Sequence, residues 1–506
     1  MSGRASLRTD SIPFRRILVA NRGEIAVRVM RTCRELGIES VAVFSDADAG
    51  APHVRAADVA ERIGPAPASE SYLSSAAVIE AARRSGAKAI HPGYGFLSEN
   101  PDFARAVEDA DLAFIGPPPA ALEALGNKLA ARLAAADAGV PIVPGTTVAL
   151  EGGADLDDVG LPAMLKAAAG GGGRGMRLVT ERTQLADALA TASREAMAAF
   201  GDGTIYVEQL IAPAHHVEVQ LLGDRHGGLA VLGERDCSVQ RRHQKLVEET
   251  PSPAIDDDLR SALFASARAV AGTVDFHNAA TVEFLVDDHG GHYFLEMNTR
   301  LQVEHGVTEL ATGLDLVAWQ IRVAAGAALP ESVTGAQPRG HAIEVRLYAE
   351  DPYDGFRPAA GRVTAWQMPA GPGVRVDTGL ESDTDLPPEY DPLLAKLMVH
   401  AEDREAALRR LGRALDEMLI GGLQTDAGFL RWLVDDEAFA AGRYDTSLIE
   451  ERWKSGPPLS VDDQALVARA ALEARRATQA TDPAAPPLAA PRSAWAEAGR
   501  RDGLRR

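Results

Sequence analysis

The sequence predicts a multidomain protein of the α/β and α+β classes, and three observations lead there. Strand-like and helix-like runs alternate through most of the chain. The chain opens on a βαβ unit, with a strand over 17–20, the turn Asn21-Arg-Gly-Glu24, a helix over 25–36 and a second strand over 40–44. Its 506 residues exceed one ordinary core, so about two to four domains are expected.

The opening unit lacks Gly-x-Gly-x-x-Gly, so nothing there requires a dinucleotide. A strand over 87–90 runs into His91-Pro-Gly-Tyr-Gly-Phe-Leu-Ser-Glu-Asn100, a turn-rich loop placed where open α/β sheets line a ligand crevice. A helix over 133–138 is closed by Gly139, and Val140-Pro-Ile-Val-Pro-Gly145 breaks the chain before a small lobe. That lobe holds strands over 163–166 and 176–179 with a glycine-rich loop between them; strands over 204–210 and 216–222 follow. A third region starts near Arg339 and ends near Glu450, and beyond it lie an Ala-rich helical stretch (462–478) and a Pro/Ala linker (481–491). The expected divisions are an arm at 1–15, then 16–125, 126–338 with the small lobe at about 142–212, 339–450, and a tail at 451–506.

A net charge of −20 argues against sequence-independent nucleic-acid binding. Cys33 and Cys237 are too few for a disulfide framework, and no apolar run approaches the roughly 20 residues of a membrane span. A cytoplasmic or otherwise reducing compartment is expected. An organellar matrix is the alternative, because residues 1–16 are rich in arginine and serine, although they form no clear amphipathic helix.

The densest chemistry lies between Glu283 and His305. Residues 280–286 and 293–297 are β-branched and aromatic, and Asp287-Asp-His-Gly-Gly-His292 supplies turn chemistry, so a hairpin is expected. With Val286 facing Tyr293, Glu283 lies opposite Glu296, and Asn298 shares their face. Opposed carboxylates repel by roughly 0.2–1 kcal/mol even when solvated. A divalent cation removes that penalty, and two acids with one amide suit Mg²⁺ (or Mn²⁺) that takes its other ligands from waters and phosphates. The competing reading is a solvated polar face on an edge hairpin.

Phosphate chemistry is signalled independently. Lys166-Ala-Ala-Ala-Gly170-Gly171-Gly172-Gly173-Arg-Gly175-Met176 lets backbone N–H groups approach phosphate oxygens, with a lysine as point charge. The lysine precedes the glycines, so this is no Walker loop, and a loop between two strands would act as a lid. Lys128 is a candidate second phosphate ligand, and Glu208-Gln209-Leu210-Ile211 could offer backbone groups to an adenine edge. In Gln240-Arg-Arg-His243-Gln-Lys245 the crowded cations imply an anionic ligand. If Arg300-Leu-Gln302-Val303-Glu304 is extended, residues 300, 302 and 304 share a face and present a guanidinium, an amide and a base to one small anion.

Taken in order, Asn21–Ala26, His91–Asn100, the glycine loop, Glu234-Arg-Asp-Cys-Ser238 with Gln240–Lys245, Glu296-Met-Asn-Thr-Arg-Leu-Gln-Val-Glu-His305 and Ala349-Glu-Asp-Pro352 resemble biotin carboxylase, the ATP-grasp component of biotin-dependent carboxylases. The likeness runs from about Ile17 to Glu450. It implies an N-terminal parallel α/β domain, an ATP-grasp domain with a glycine-rich lid and a mixed C-terminal domain. It further implies ATP on Lys128, Lys166, Gly170 to Gly175, Met176, Glu208 to Ile211, His216, Gln240 and His243, and a metal on Glu283, Glu296 and Asn298. Bicarbonate would be held by Lys245, Arg300, Gln302 and the Val303 backbone, with Glu304 as general base and Arg346 stabilising the biotin enolate. The activity implied is carboxylation of biotin through carboxyphosphate, the first half-reaction of an acyl-CoA carboxylase. The implied partners are a biotin carboxyl carrier, a carboxyltransferase β subunit and a second copy of the chain or a larger hetero-oligomer, with no nucleic acid and no membrane. Another ATP-grasp carboxylate–amine ligase, or a non-catalytic assembly subunit, are the alternatives, though the first leaves Arg300–Glu304 and Arg346 without a role.

The chain departs from the family pattern at Ala168 and Ala169, Asn127, Gln209, Gly306 and Phe356-Arg-Pro-Ala-Ala-Gly361, and Gly306 is expected to loosen the backbone beside Glu304. No Ala-Met-Lys-Met-like hairpin occurs, so biotin is expected from another polypeptide or from a domain outside this chain. The segment 491–499 is similar to the linker that opens the next domain of long acyl-CoA carboxylase α chains.

Overall fold

Five parallel strands, in the spatial order Val59–Gly64, Glu39–Ser45, Arg16–Val19, Ala89–His91 and Ala113–Phe114, form the first sheet of the computed structural model, which describes residues 12–146, 159–168 and 176–454. The order reverses between Arg16–Val19 and Ala89–His91, the switch point where a ligand crevice opens in such sheets. The turn of Asn21 and the loop of His91–Asn100 meet there. Asn21 Nδ2 donates to Pro92 O (2.9 Å) and Tyr94 O (2.7 Å), which packs the two loops against each other. Gly93 (φ +65°) is required at that contact, because a Cβ would meet Asn21 Nδ2.

The helix Lys128–Asp137 leads out of this region. Asn127 caps it by accepting from Ala130 N (2.9 Å), a role for which asparagine and aspartate are equally suited. A three-stranded sheet of Arg177–Val179, Ala163–Ala167 and Ile205–Gln209, backed by the helix Leu185–Phe200, makes the small lobe. Its core is Val159, Leu165, Val179, Ala192, Ala196, Ile205 and Val207. The glycines from Gly170 to Gly175, with Ala169, lie outside the described residues, as do the arm, the helical tail and the Pro/Ala linker.

The centre is one antiparallel sheet of eight strands, ordered His292–Asn298, Asn278–Asp287, Ala214–Gly223, Leu229–Arg241, Gln244–Thr250, His341–Tyr348, Leu393–Ala401 and Val374–Thr378. It runs without a break across residue 338, so strands from the second and third regions share one ladder. The helices His305–Thr312 and Arg404–Glu417 contact it. Among the described residues no helix is long and apolar enough to cross a membrane, and both cysteines are buried and free.

Glu249 fastens the end of the described chain to this sheet. It accepts from His341 Nε2 (2.5 Å), Arg404 Nε (2.7 Å) and Tyr444 Oη (2.6 Å). Burial alone would raise its carboxyl, but the bonds from His341 and Arg404 bring it down to about 2. A depressed folded pKa stabilises above the unfolded value of about 4.5 and loses that contribution as pH falls toward 2. Glu249→Ala is therefore expected to lower the unfolding free energy by about 3 kcal/mol at neutral pH. In denaturant titrations the gap between wild type and variant should narrow as the pH falls below about 4.5, and a pH-independent gap would contradict the assignment.

Candidate active site

Register places a row of charges across four neighbouring strands. Glu296 lies opposite Glu283, Glu283 opposite Glu218, and Glu218 opposite Arg235. Directly opposed residues point to the same face, so three carboxylates and a guanidinium converge there. The hairpin expectation for Glu283, Glu296 and Asn298 holds, but by a different register from the one expected. Val286 pairs with His292 rather than Tyr293, and a bulge after Glu283 absorbs the extra residue and restores the Glu283–Glu296 pair.

Lys245 gathers this row. Its ammonium donates to Glu218 Oε2 (2.5 Å), Glu283 Oε1 (2.9 Å) and Glu304 Oε1 (2.8 Å). The basic run around it thus meets the protein's own carboxylates before any ligand is considered. Arg241 faces the other way, over the Phe356 ring at 4.6 Å, because it alternates with Lys245 and Gln240 about the hairpin turn at Arg242 and His243.

Around this junction His216 Nε2 lies 2.7 Å from Glu283 Oε2, and the Asn298 amide donates to Glu283 Oε1 (2.8 Å) and Glu296 Oε1 (3.2 Å). Lys128 pairs with Glu296. Lys166 donates to Glu208 Oε2 (2.5 Å), whose other oxygen takes Arg132 (2.9 Å), so the Glu208 side chain orients the lysine. Gln209 and Leu210 spend their N–H groups on Pro144 O and Pro162 O, so neither of these two N–H groups is left for a base edge. Burial lowers His243, and Lys166, His216 and Lys128 add to that, so this imidazole stands among the same cations.

The second half of the site is not extended. The strand ends at Asn298, and 299–304 form an irregular turn into the helix His305–Thr312. Arg300 still reaches Gln302 Oε1 (2.9 Å), but its Nε is held by Glu99 of the N-terminal loop (2.9 Å). Glu304 is fully buried and accepts from Lys245 and from Arg346 Nη2 (2.9 Å), while Arg346 Nε is fixed by Glu248 Oε1 (2.7 Å). The Val303 carbonyl accepts from Lys396 (2.7 Å), which also pairs with Glu24.

Burial would raise both Glu304 and Glu283. Lys245 and Arg346 nevertheless hold Glu304 well below the usual carboxylate range, and Lys245 with His216 does the same for Glu283. Both are ionised acceptors at neutral pH. Glu24, Glu99 and Arg235 lie inside motifs legible in the sequence but without a role assigned there, whereas Glu218, Glu248, Lys396 and Arg132 lie in no such motif. The signal that could have found Glu218 is the alternation His216-Val-Glu218-Val-Gln220, a strand with a polar side that is nonetheless buried.

The departures at Ala168 and Gly306 are accommodated. Ala168 keeps the backbone bonds to Thr204 O and from Lys128 N. Gly306 corrects the expectation of a loosened chain. It is helical and buried, and a Cβ there would collide with Met398 Sδ and come within 3.4 Å of Glu344 Oε2. The glycine makes room for the methionine.

An antiparallel sheet carrying opposed carboxylates, with Lys128 of the adjoining helix on Glu296 and Lys166 of the small three-stranded lobe on Glu208, defines an ATP-dependent ligase of the ATP-grasp type. Models of the biotin carboxylase N-terminal domain, the carbamoyl-phosphate synthase L chain ATP-binding domain and the biotin carboxylase C-terminal domain match residues 13–122, 127–332 and 344–451. The biotin carboxylase of Halalkalibacterium halodurans is 47% identical over 448 residues, covering 87% of this chain and 98% of that protein. The mitochondrial methylcrotonoyl-CoA carboxylase subunit alpha of Oryza sativa is 50% identical over 441 residues, 86% of this chain, and the chain spans 60% of that relative's length. The biotin carboxylase domain of Hydrogenobacter thermophilus 2-oxoglutarate carboxylase, solved as a dimer with MgADP, ADP and bicarbonate, superposes with a TM-score of 0.85 at 41% identity, covering 88% of this chain and 99% of that one.

The chain belongs to the biotin carboxylase family. It has the N-terminal, ATP-binding and C-terminal domains of that ligase family. Glu283 and Glu296 face one another, which suits a divalent cation between them, and Asn298, whose Nδ2 donates to both acids, would offer Oδ1, which here accepts from Arg300 Nη2 (3.2 Å).

A double-mutant cycle tests the packing beside Glu304. Gly306→Ala and Met398→Ala should each destabilise, by about 1–3 kcal/mol through overpacking and about 2–4 kcal/mol through a cavity. Combined, they should cost at least about 1 kcal/mol less than their sum in denaturant unfolding. Additivity would show that the two side chains do not compete for one space.

Proposed function

We propose that this chain is the biotin carboxylase component of a biotin-dependent acyl-CoA carboxylase, with a biotin carboxyl carrier and a carboxyltransferase β subunit as partners and a dimer as its working form. The observation that supports the reading best is Glu304, held between Lys245 and Arg346 and joined through Lys245 to Glu283 and Glu218 of the row. It puts a base, an anion-binding ammonium and the metal carboxylates within one hydrogen-bonded group.

Lys128, Lys166, the loop from Gly170 to Gly175, Met176, the segment Glu208 to Ile211, His216, Gln240 and His243 bind ATP in this reading. Magnesium, when bound, neutralises the phosphates beside Glu283, Glu296 and Asn298. Lys245, Arg300, Gln302 and the Val303 backbone hold bicarbonate. As the anion takes up the Lys245 ammonium, Glu304 loses one of the charges that depress it and becomes a better base. Glu304 removes the bicarbonate proton while the bicarbonate oxygen attacks the γ-phosphorus and ADP leaves, giving carboxyphosphate. The C–O bond next to phosphorus then breaks, releasing CO₂ and phosphate. Phosphate takes the ureido N–H proton, Arg346 stabilises the resulting enolate, and the nitrogen attacks CO₂. A closing lid excludes the water that would hydrolyse carboxyphosphate.

Two kinetic measurements test this. Bicarbonate-dependent ATP hydrolysis should be stimulated by free biotin, and Glu304→Gln should reduce it by about 10²-fold or more. No stimulation by biotin, or an unaffected variant, would refute the assignment. In Lys245→Gln the loss of a cation raises the Glu304 pKa, so the acid limb of the pH profile should move to higher pH while the bicarbonate KM rises. An acid limb that stays in place would remove Lys245 from the control of Glu304.

A further inference from the structure

Behind Arg346 stands a pair of carboxyl groups with no assigned role. Glu248 and Glu344 are directly opposed on the antiparallel strands Gln244–Thr250 and His341–Tyr348, and both are completely buried. Glu248 Oε1 accepts from Arg346 Nε (2.7 Å), but its Oε2 has no partner, and neither oxygen of Glu344 has one. The groups that face Glu344 are Glu248 from one neighbouring strand, Lys396 from the other, Arg346 on its own strand, and Glu304 from the turn before the helix His305–Thr312. Lys396 is spent on Val303 O and Glu24, and Arg346 on Glu248 and Glu304. Above Glu344 that helix offers the glycine at 306, and the opposed residue on Leu393–Ala401 is Met398.

An ionised carboxylate with no donor is not tolerated in such surroundings, and two like charges across a strand pair are worse. Three acceptor oxygens without donors belong to these two directly opposed residues, and one proton changes that count. A carboxylic acid at 344 would donate to Oε2 of Glu248. We propose that Glu344 and Glu248 hold one proton between them, with Glu344 as the neutral acid, and that this hydrogen bond fixes the carboxylate that orients Arg346. Burial, opposed by Lys396 and reinforced by Glu248, pushes the Glu344 carboxyl well above its ordinary value, in agreement with that state. The same arrangement keeps a further negative charge away from the pocket that must accept bicarbonate, phosphate and an enolate. Glu344 is thus a positioning residue acting through Glu248 and Arg346, and its catalytic consequence rests on the reading of Arg346 given above.

The test is infrared spectroscopy of the whole enzyme together with biotin-dependent kinetics. The wild type should show a protonated-carboxyl C=O band at about neutral pH that shifts in D₂O and disappears in Glu344→Gln. Glu344→Gln, whose amide can still donate to Glu248, should keep biotin-dependent turnover within about threefold, while Glu344→Leu should lose about tenfold or more. Raising the pH removes the shared proton, so wild-type turnover should have an alkaline limb that moves upward in Glu344→Gln. A band unchanged in Glu344→Gln, or equal losses in the Gln and Leu variants, would overturn the proposal. Failure of the underlying reading shows separately, as biotin dependence that survives Arg346→Ala while the band is present.

Discussion

The Lys245 ammonium binds three buried carboxylates from three different segments, and the geometry of the site follows from that junction. Glu218 belongs to a central strand, Glu283 to the hairpin and Glu304 to the turn before a helix. Each carboxylate would be costly to bury alone, and a single lysine makes burial of all three tolerable only because Arg235, His216 and Arg346 take their remaining oxygens. The result is a rigid charged lattice whose parts are already aimed at one another. That preorganisation is what phosphoryl transfer asks of a protein that does little covalent chemistry itself.

The lattice continues into elements far from the hairpin. Glu248 holds Arg346, Lys396 holds the Val303 carbonyl, and Glu99 in the N-terminal loop holds Arg300. Three regions of chain therefore meet at the place proposed for one small anion. The unbroken eight-stranded sheet supplies the fixed frame on which the rows register.

What the sequence makes legible is local. The opening βαβ unit, the small-lobe strands and the hairpin are visible from turn residues and period, because those signals act over a few residues. The facing of Glu283 and Glu296 is visible as well, although the bulge after Glu283 cannot be read from side-chain types and the expected pairing of Val286 with Tyr293 is one residue out. Glu218, Glu248 and Lys396 are invisible for another reason. Their partners lie on strands distant in sequence, and only register brings Glu248 to Glu344 or Arg346 to Lys396. The extended reading of Arg300 to Glu304 fails because the chain must turn there to bring Glu304 under Lys245. Gly306, read alone, is a flexible residue; read with Met398 it is a space filled by a neighbour.

Lys245 joins Glu283, the proposed metal ligand, to Glu304, the proposed base, and in that reading nucleotide and bicarbonate binding are linked through one ammonium. Calorimetric titration of bicarbonate, with and without MgADP, measures that linkage directly. Once magnesium shares Glu283, more of Lys245 is left to the anion, so MgADP should tighten bicarbonate binding by about fivefold or more, and Glu283→Gln should abolish the effect. Bicarbonate affinity that is the same with and without MgADP would contradict the account.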